Sequence, residues 1–114
     1  MIVRKTETRL EEKPQMRGGV GTASLYHYTA GDPTRRLRFL AEINLPPGAS
    51  IGYHQHCGET EYFYFREGAG LVNDNGSEYP VGPGDLLITG GGASHGVRNT
   101  GDKALVFGAI IITD

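Results

Sequence analysis

Eighteen glycines and six prolines break this 114-residue chain into short segments, at no repeat period. Such punctuation is the mark of an all-β domain with tight turns. High Gly plus Pro also suits a disordered chain, but the runs of Val, Ile, Leu, Phe and Tyr between the turns argue against disorder. Nowhere do four helical turns of 3.6-residue pattern appear.

Residues 1 to 19 are polar and end in Gly18-Gly19; they read as an N-terminal arm with room for one short strand. Residues 20 to 114 read as one barrel domain, a size that one domain fills. Residues 20 to 29 have strand composition, and Gly31-Asp32-Pro33 predicts a turn. Residues 36 to 45 alternate: Leu37, Phe39, Ala41, Ile43 and Leu45 share one face, and Arg36, Arg38, Glu42 and Asn44 the other. Residues 50 to 56 and 61 to 66 are expected to pair, with Gly58 between them. Asn75-Gly76 is a strong two-residue hairpin signal between Leu71–Asn73 and Glu78–Val81. Strands also follow at Leu86–Ile88, at 94 to 99 and at 104 to 112. Eight or more short strands predict a sandwich or barrel. The last strand is apolar on both faces, so one face needs cover from another sheet or a second subunit. That points to a homodimer.

Composition narrows the function classes. Eleven Lys plus Arg against thirteen Asp plus Glu favour neither nucleic acid nor an anionic membrane surface. A single cysteine, Cys57, allows no internal disulfide and suits a cytoplasmic protein. The charged start MIVRKTETRLEEK has no apolar core of a signal peptide, and no apolar run is long enough for a membrane span.

Chemistry concentrates in the histidines. His54 and His56, two apart on a strand, project from one face. Glu61 lies at an odd spacing from them, but a turn at Gly58 lets it return to the same side. His95 follows a triple glycine that lets the backbone bend. Imidazoles plus a carboxylate make a mixed ligand set suited to one divalent ion: Mn, Fe, Ni, Co or Zn. Four protein ligands on a six-coordinate ion leave two open positions. Glu59 rivals Glu61, since both point the same way on an extended segment.

Residues 48 to 68 read G-ASIGY-H-Q-H-CGET-E-YFYFRE-G. This resembles the first cupin motif, G(x)5HxH(x)3–4E(x)6G, at Gly48, His54, His56, Glu61 and Gly68. Residues 84 to 99, G-DLLIT-G-G-G-AS-H-GVR-N, resemble the second motif, G(x)5PxG(x)2H(x)3N, at Gly84, Gly92, His95 and Asn99, with Gly90 in place of the proline. The resemblance implies a jelly-roll barrel, or double-stranded β-helix, enclosing a metal held by His54, His56, Glu61 and His95. It implies a dimer as the usual state. It also favours Glu61 over Glu59 as the ligand, leaving Glu59 exposed near the mouth. Among cupins the chain resembles the small oxalate-decarboxylase-like group.

Phe63 and Phe65 share parity with Glu61 and are expected to line the pocket. Tyr53, Tyr62 and Tyr64 read as core or interface, and Cys57 as a neutral packing residue. His27 reads as a satisfied or exposed histidine, with pocket lining the alternative. Arg36, Arg38 and Arg98 are expected to point away from the metal, which leaves no cationic clamp for a dicarboxylate. Asn99 reads as a hydrogen-bonding turn residue. The functional expectation is a metal-dependent lyase or dioxygenase acting on a small oxygen-rich acid. The alternatives are a binding or metal-sensing module without chemistry and, with least weight, a metal-free barrel.

Overall fold

The computed structural model describes residues 1–28 and 36–114; the turn expected at Gly31-Asp32-Pro33 lies outside the described residues. Strand composition between glycine turns produces β1 (Arg9–Pro14), β2 (Thr22–His27), β3 (Leu37–Leu45), β4 (Ser50–Gln55) and β5 (Glu59–Glu67). The second half contributes β6 (Gly70–Asp74), β7 (Ser77–Val81), β8 (Leu86–Gly90), β9 (Ser94–Asn99) and β10 (Leu105–Thr113). Two antiparallel sheets result, one ordered β1-β2-β3-β10-β5-β8 and the other β4-β9-β6-β7. This is a jelly roll.

The faces that meet between the sheets carry the core: Leu25, Ile43, Leu45, Ile51, Val97, Leu105, Phe107 and neighbours, all almost fully buried. Each such side chain contributes roughly 1.5–3 kcal/mol of burial. The β6–β7 hairpin turns at Asn75 (φ 51°) and Gly76 (φ 100°), the paired positive φ angles that a two-residue hairpin requires. Asn99 closes the barrel end from a buried position. Its amide donates to the carbonyls of Leu45 (2.9 Å) and Lys103 (2.7 Å), and its oxygen accepts from Gly101 N–H (2.9 Å).

The expected pairing of 50–56 with 61–66 does not occur. β4 pairs with β9, whereas β5 lies between β10 and β8 in the other sheet. Both ladders of β5 are taken, so β4 has no edge of β5 to join. The two strands instead face each other across the interior, linked through Gly58 at φ 71°.

Two register shifts re-aim side chains. Along β4–β9, Ile51 pairs with Val97 but His54 with His95, so β4 holds one extra residue at Gly52-Tyr53. A bulge of this kind reverses alternation, which puts Ile51 and His54, three apart, on the same inner side. Along β3–β10, Phe39 pairs with Ile111 and Leu37 with Ile112, leaving Arg38 as the extra residue.

The second face of β10 continues into an apolar outer surface on the six-stranded sheet. Leu40, Ile110, Tyr62 and Ile88 stand in one cross-strand row, with Tyr64 beside Leu86 in the next. Tyr64, Leu86 and Ile88 are each more than half exposed.

Candidate metal centre

β4, its continuation at His56, β9 and β5 bring His54, His56, His95 and Glu61 together from opposite sheets. Their ligand atoms all lie within 4.8 Å of one another. His56 Nε2 is 3.1 Å from His54 Nε2, 3.1 Å from His95 Nε2 and 3.0 Å from Glu61 Oε1. His95 Nε2 is 2.9 Å from the same Glu61 oxygen.

The other nitrogen of each ring is engaged. His54 Nδ1 donates to the Gly52 carbonyl (2.6 Å), inside the bulge that aims it. His56 Nδ1 donates to Glu59 Oε2 (2.6 Å), and His95 Nδ1 pairs with the buried Thr89 hydroxyl (2.7 Å). A carbonyl and a carboxylate accept, so Nδ1 of His54 and of His56 carries the proton and Nε2 presents a lone pair; with the Thr89 hydroxyl accepting, His95 does the same. Three lone pairs and a carboxylate oxygen thus converge, and a proton from Glu61 could satisfy at most one of those contacts. Such a cluster is repulsive without a cation. An ion about 2.1 Å from each donor puts ligands at right angles about 3.0 Å apart, and tetrahedral ligands about 3.4 Å apart. Four of the donor pairs stand 2.9–3.1 Å apart, close enough to share one ion, and the whole set lies within 4.8 Å. The cluster could therefore hold a metal ion.

Electrostatics agree. Burial pushes His95 down to about 4, with His56 adding to the shift, and lowers His54 as well. Both rings are neutral and able to ligate at ordinary pH. Burial pushes Glu61 up to about 7, the penalty that a bound cation would offset.

His54, His56 and Glu61 open onto a cavity of about 170 Å³. That is room for several waters or a small organic acid. Apolar wall comes from Phe39, Ile43, Ile51, Phe63 and Ile111, while Lys13, Arg17 and Arg38 bring positive charge.

The Cupin domain family model matches residues 41–112. The chain belongs to the cupin family. This cupin is 40% identical over 113 residues to the oxalate-binding protein of Thermotoga maritima, covering 98% of this chain and 93% of that one. It is 34% identical over 64 residues to the tetracenomycin polyketide synthase protein TcmJ of Streptomyces glaucescens, covering 56% of this chain and 43% of that one. A Thermotoga maritima crystal structure described as a predicted oxalate decarboxylase superposes with a TM-score of 0.95 at 39% identity, covering 100% of both chains. The cupin domain of Schizosaccharomyces pombe Cnp3 shares the fold at 15% identity, with a TM-score of 0.78 and coverage of 100% of this chain and 74% of that one.

Several sequence expectations are corrected by this cupin's structure. Glu59 is not exposed near the mouth. It is buried, 7% accessible, and joins His56 to Arg38. Arg38 is not turned away: the bulge in β3 lets it line the cavity beside Phe39. Arg17, on the arm, also lines it, so the expectation that no arginine approaches the site fails twice. Phe63 stands on the cavity wall, its ring stacked on His95 with centroids 4.6 Å apart. Phe65, expected beside it, is a core residue against Phe107 and is absent from the lining. His27 is satisfied by Glu11 (2.9 Å) and lies edge-on to Phe39. Cys57, expected to pack, is exposed. Of the tyrosines expected in the core or an interface, Tyr53 and Tyr64 are about half exposed, which leaves the interface alternative for both. Thr89 had no sequence signal. Glu59 had one, its shared parity with Glu61.

Proposed function

We propose that this cupin binds one divalent transition-metal ion through His54, His56, Glu61 and His95 and holds a small carboxylic acid on the ion's open side. The observation that carries the reading is the convergence of four donor atoms while every opposing Nδ1 is already engaged. The mixed imidazole and carboxylate donor set suits Mn, Fe, Ni or Zn. A bound ion would supply a Lewis acid for a carboxylate or enolate oxygen. The chain's own residues do the rest. Phe63 and Ile111 keep one wall dry, and the cations at the rim offset the acid's charge. Likeness to a relative named for oxalate binding makes oxalate the first acid to try.

Capture without turnover is favoured over a lyase or dioxygenase because neither Glu59 nor His27, the carboxylate and imidazole outside the donor cluster that could serve as a general base, is free to move a proton. Glu59 is held between His56 and Arg38, and His27 lies against Glu11. The enzyme reading is supported by the open positions alone. The test is a metal count on protein purified without chelator or histidine tag, wild type against His54→Ala, followed by calorimetric titration with oxalate. The expected result is about one ion per wild-type chain, sharply less in the variant, and saturable oxalate binding that needs the ion. No metal in either protein, and no uptake when ions are added, would refute the proposal. Steady product formation from oxalate would replace capture with catalysis.

A second copy of the chain is the proposed cover for the apolar outer sheet face, because a two-fold contact sets such a patch against itself. Sedimentation showing only monomer at micromolar concentration would sink this. The exposed free thiol of Cys57 suits a reducing, cytoplasmic setting, and among the described residues no helix is long and apolar enough to cross a membrane.

A further inference from the structure

Arg17 sits on a short 3-10 turn, Met16–Gly18, between β1 and β2, outside both cupin motifs. It lines the same cavity as the metal cluster. Its positive charge is felt at His54, Glu61 and His95, three of the four candidate ligands. Arg38, the other arginine of the cavity, is committed to Glu59. Arg17 makes no hydrogen bond or ion pair to any described residue.

The backbone that presents Arg17 is strained and fastened. Arg17 has φ 54° and ψ 32°, a left-handed conformation uncommon for a residue with a side chain. Such strain persists where surrounding contacts over-determine it, and here they do. Gly18 N–H donates to the Gln15 carbonyl (2.9 Å), and Gly19 N–H to the Met16 carbonyl (3.0 Å). Val20 and Ser50 exchange two hydrogen bonds of 2.8 Å. The turn also lies so close to β4 that a Cβ on Gly52 would meet the Arg17 carbonyl oxygen at 1.9 Å, and one on Gly19 the Ser50 oxygen at 2.1 Å. Gly52 is the bulge residue whose carbonyl holds His54. One glycine thus ties the arm, the bulge and a candidate ligand together, and fixes the backbone from which the exposed Arg17 side chain reaches the cavity.

We propose that Arg17 is the anion-recognising residue of the site, selecting acids with a second carboxylate over acids with one. In this arrangement one end of the acid lies at the four-donor cluster while the planar fork of Arg17 takes carboxylate oxygens left free at the other end. The inference rests on the small-acid reading above and names its substrate class: short dicarboxylates.

Titration calorimetry tests it on manganese-loaded full-length protein, with oxalate and malonate as dianions and acetate as the single-carboxylate control. The variants are Arg17→Gln, Arg17→Lys and Arg17→Gly; the glycine variant removes the charge while relieving the left-handed backbone, so it remains informative if Arg17→Gln folds poorly. Manganese content and melting temperature are recorded for each. The expected result is dianion affinity at least about tenfold weaker in the Gln and Gly variants, partial recovery in the Lys variant, unchanged manganese content, and a clearly smaller loss for acetate. Dianion affinity equal to wild type in metal-replete Arg17→Gln or Arg17→Gly would overturn the role of Arg17 alone. Failure of the manganese-loaded wild type to bind any of the three acids would overturn the small-acid reading and this inference with it.

Discussion

Removing the Glu59 carboxylate should weaken metal binding without removing a ligand. Glu59 accepts a 2.6 Å hydrogen bond from His56 Nδ1 in a nearly closed environment and pairs with Arg38 on its other oxygen. A hydrogen bond to a charged group contributes about 1.5–3 kcal/mol. Losing a carboxylate that orients a ligating histidine typically costs 10–100-fold in metal affinity, which is about 1.4–2.7 kcal/mol. The two figures agree, so most of the bond's value is expected to reach the metal. In Glu59→Gln the amide oxygen can still accept from His56, but its NH2 then faces the Arg38 guanidinium, donor against donor; the loss should be about tenfold. In Glu59→Ala the buried Nδ1–H has no partner, and the loss should approach 100-fold. Arg38→Gln should matter less, because the Arg38 side chain is 64% exposed and surface pairs contribute about 0–1 kcal/mol. Competition against a chelating dye at fixed pH measures the affinities, with melting of the metal-free proteins separating loss of fold from loss of site. Wild-type affinity in both the Gln and Ala variants would refute the idea that Glu59 orients His56.

Two further outcomes are expected. Metal should stabilise the protein more at pH 7.5 than at pH 5.5. The folded-state pKa of Glu61, raised by burial to about 7 from 4.5, means that metal-free protein loses stability as pH rises through that window. His95, lowered to about 4 from 6.5, acts in the opposite sense and only below about pH 6.5. The carboxylate that destabilises the empty site above pH 7 is the one a cation needs, so affinity should fall about tenfold per pH unit below 7; equal metal-induced melting shifts at the two pH values would contradict this. Gly52→Ala should destabilise the fold by about 1–3 kcal/mol, since its Cβ would meet the Arg17 backbone at 1.9 Å and backbone cannot swing aside. An unchanged denaturation midpoint would mean that the arm is not fastened at that point.

Local patterns announced themselves in the sequence and longer-range ones did not. The Asn75-Gly76 hairpin was legible because turn chemistry and pairing both lie within a dozen residues. The four-residue cluster was legible because spacing alone places His54 with His56, and motif resemblance added Glu61 and His95. The partners of β4 and β5 were not legible. Adjacency in sequence suggests a hairpin, whereas the choice between pairing and facing is settled by β9, β8 and β10, whose partner residues come 22 to 54 positions later. Arg17 gave no signal, because its arm reaches the cavity through glycine contacts with β4 rather than through any periodicity of its own.

The two bulges explain why strict alternation misplaced the charges. Read with a period of two, β3 sends Arg38 to solvent, and β4 sends Ile51 and His54 to opposite faces. One extra residue in each strand reverses the parity beyond it. In β4 the result is an inward His54 next to an inward Ile51, so a ligand and a piece of apolar wall come from three consecutive steps of chain. In β3 Arg38 and Phe39 both reach the cavity, so a cation and an apolar ring stand side by side at its rim. A regular strand offers one chemistry per face. The small-acid site proposed for this chain would need both, apolar surface to keep the donors dry and charge to receive the acid, and these bulges place both at one cavity.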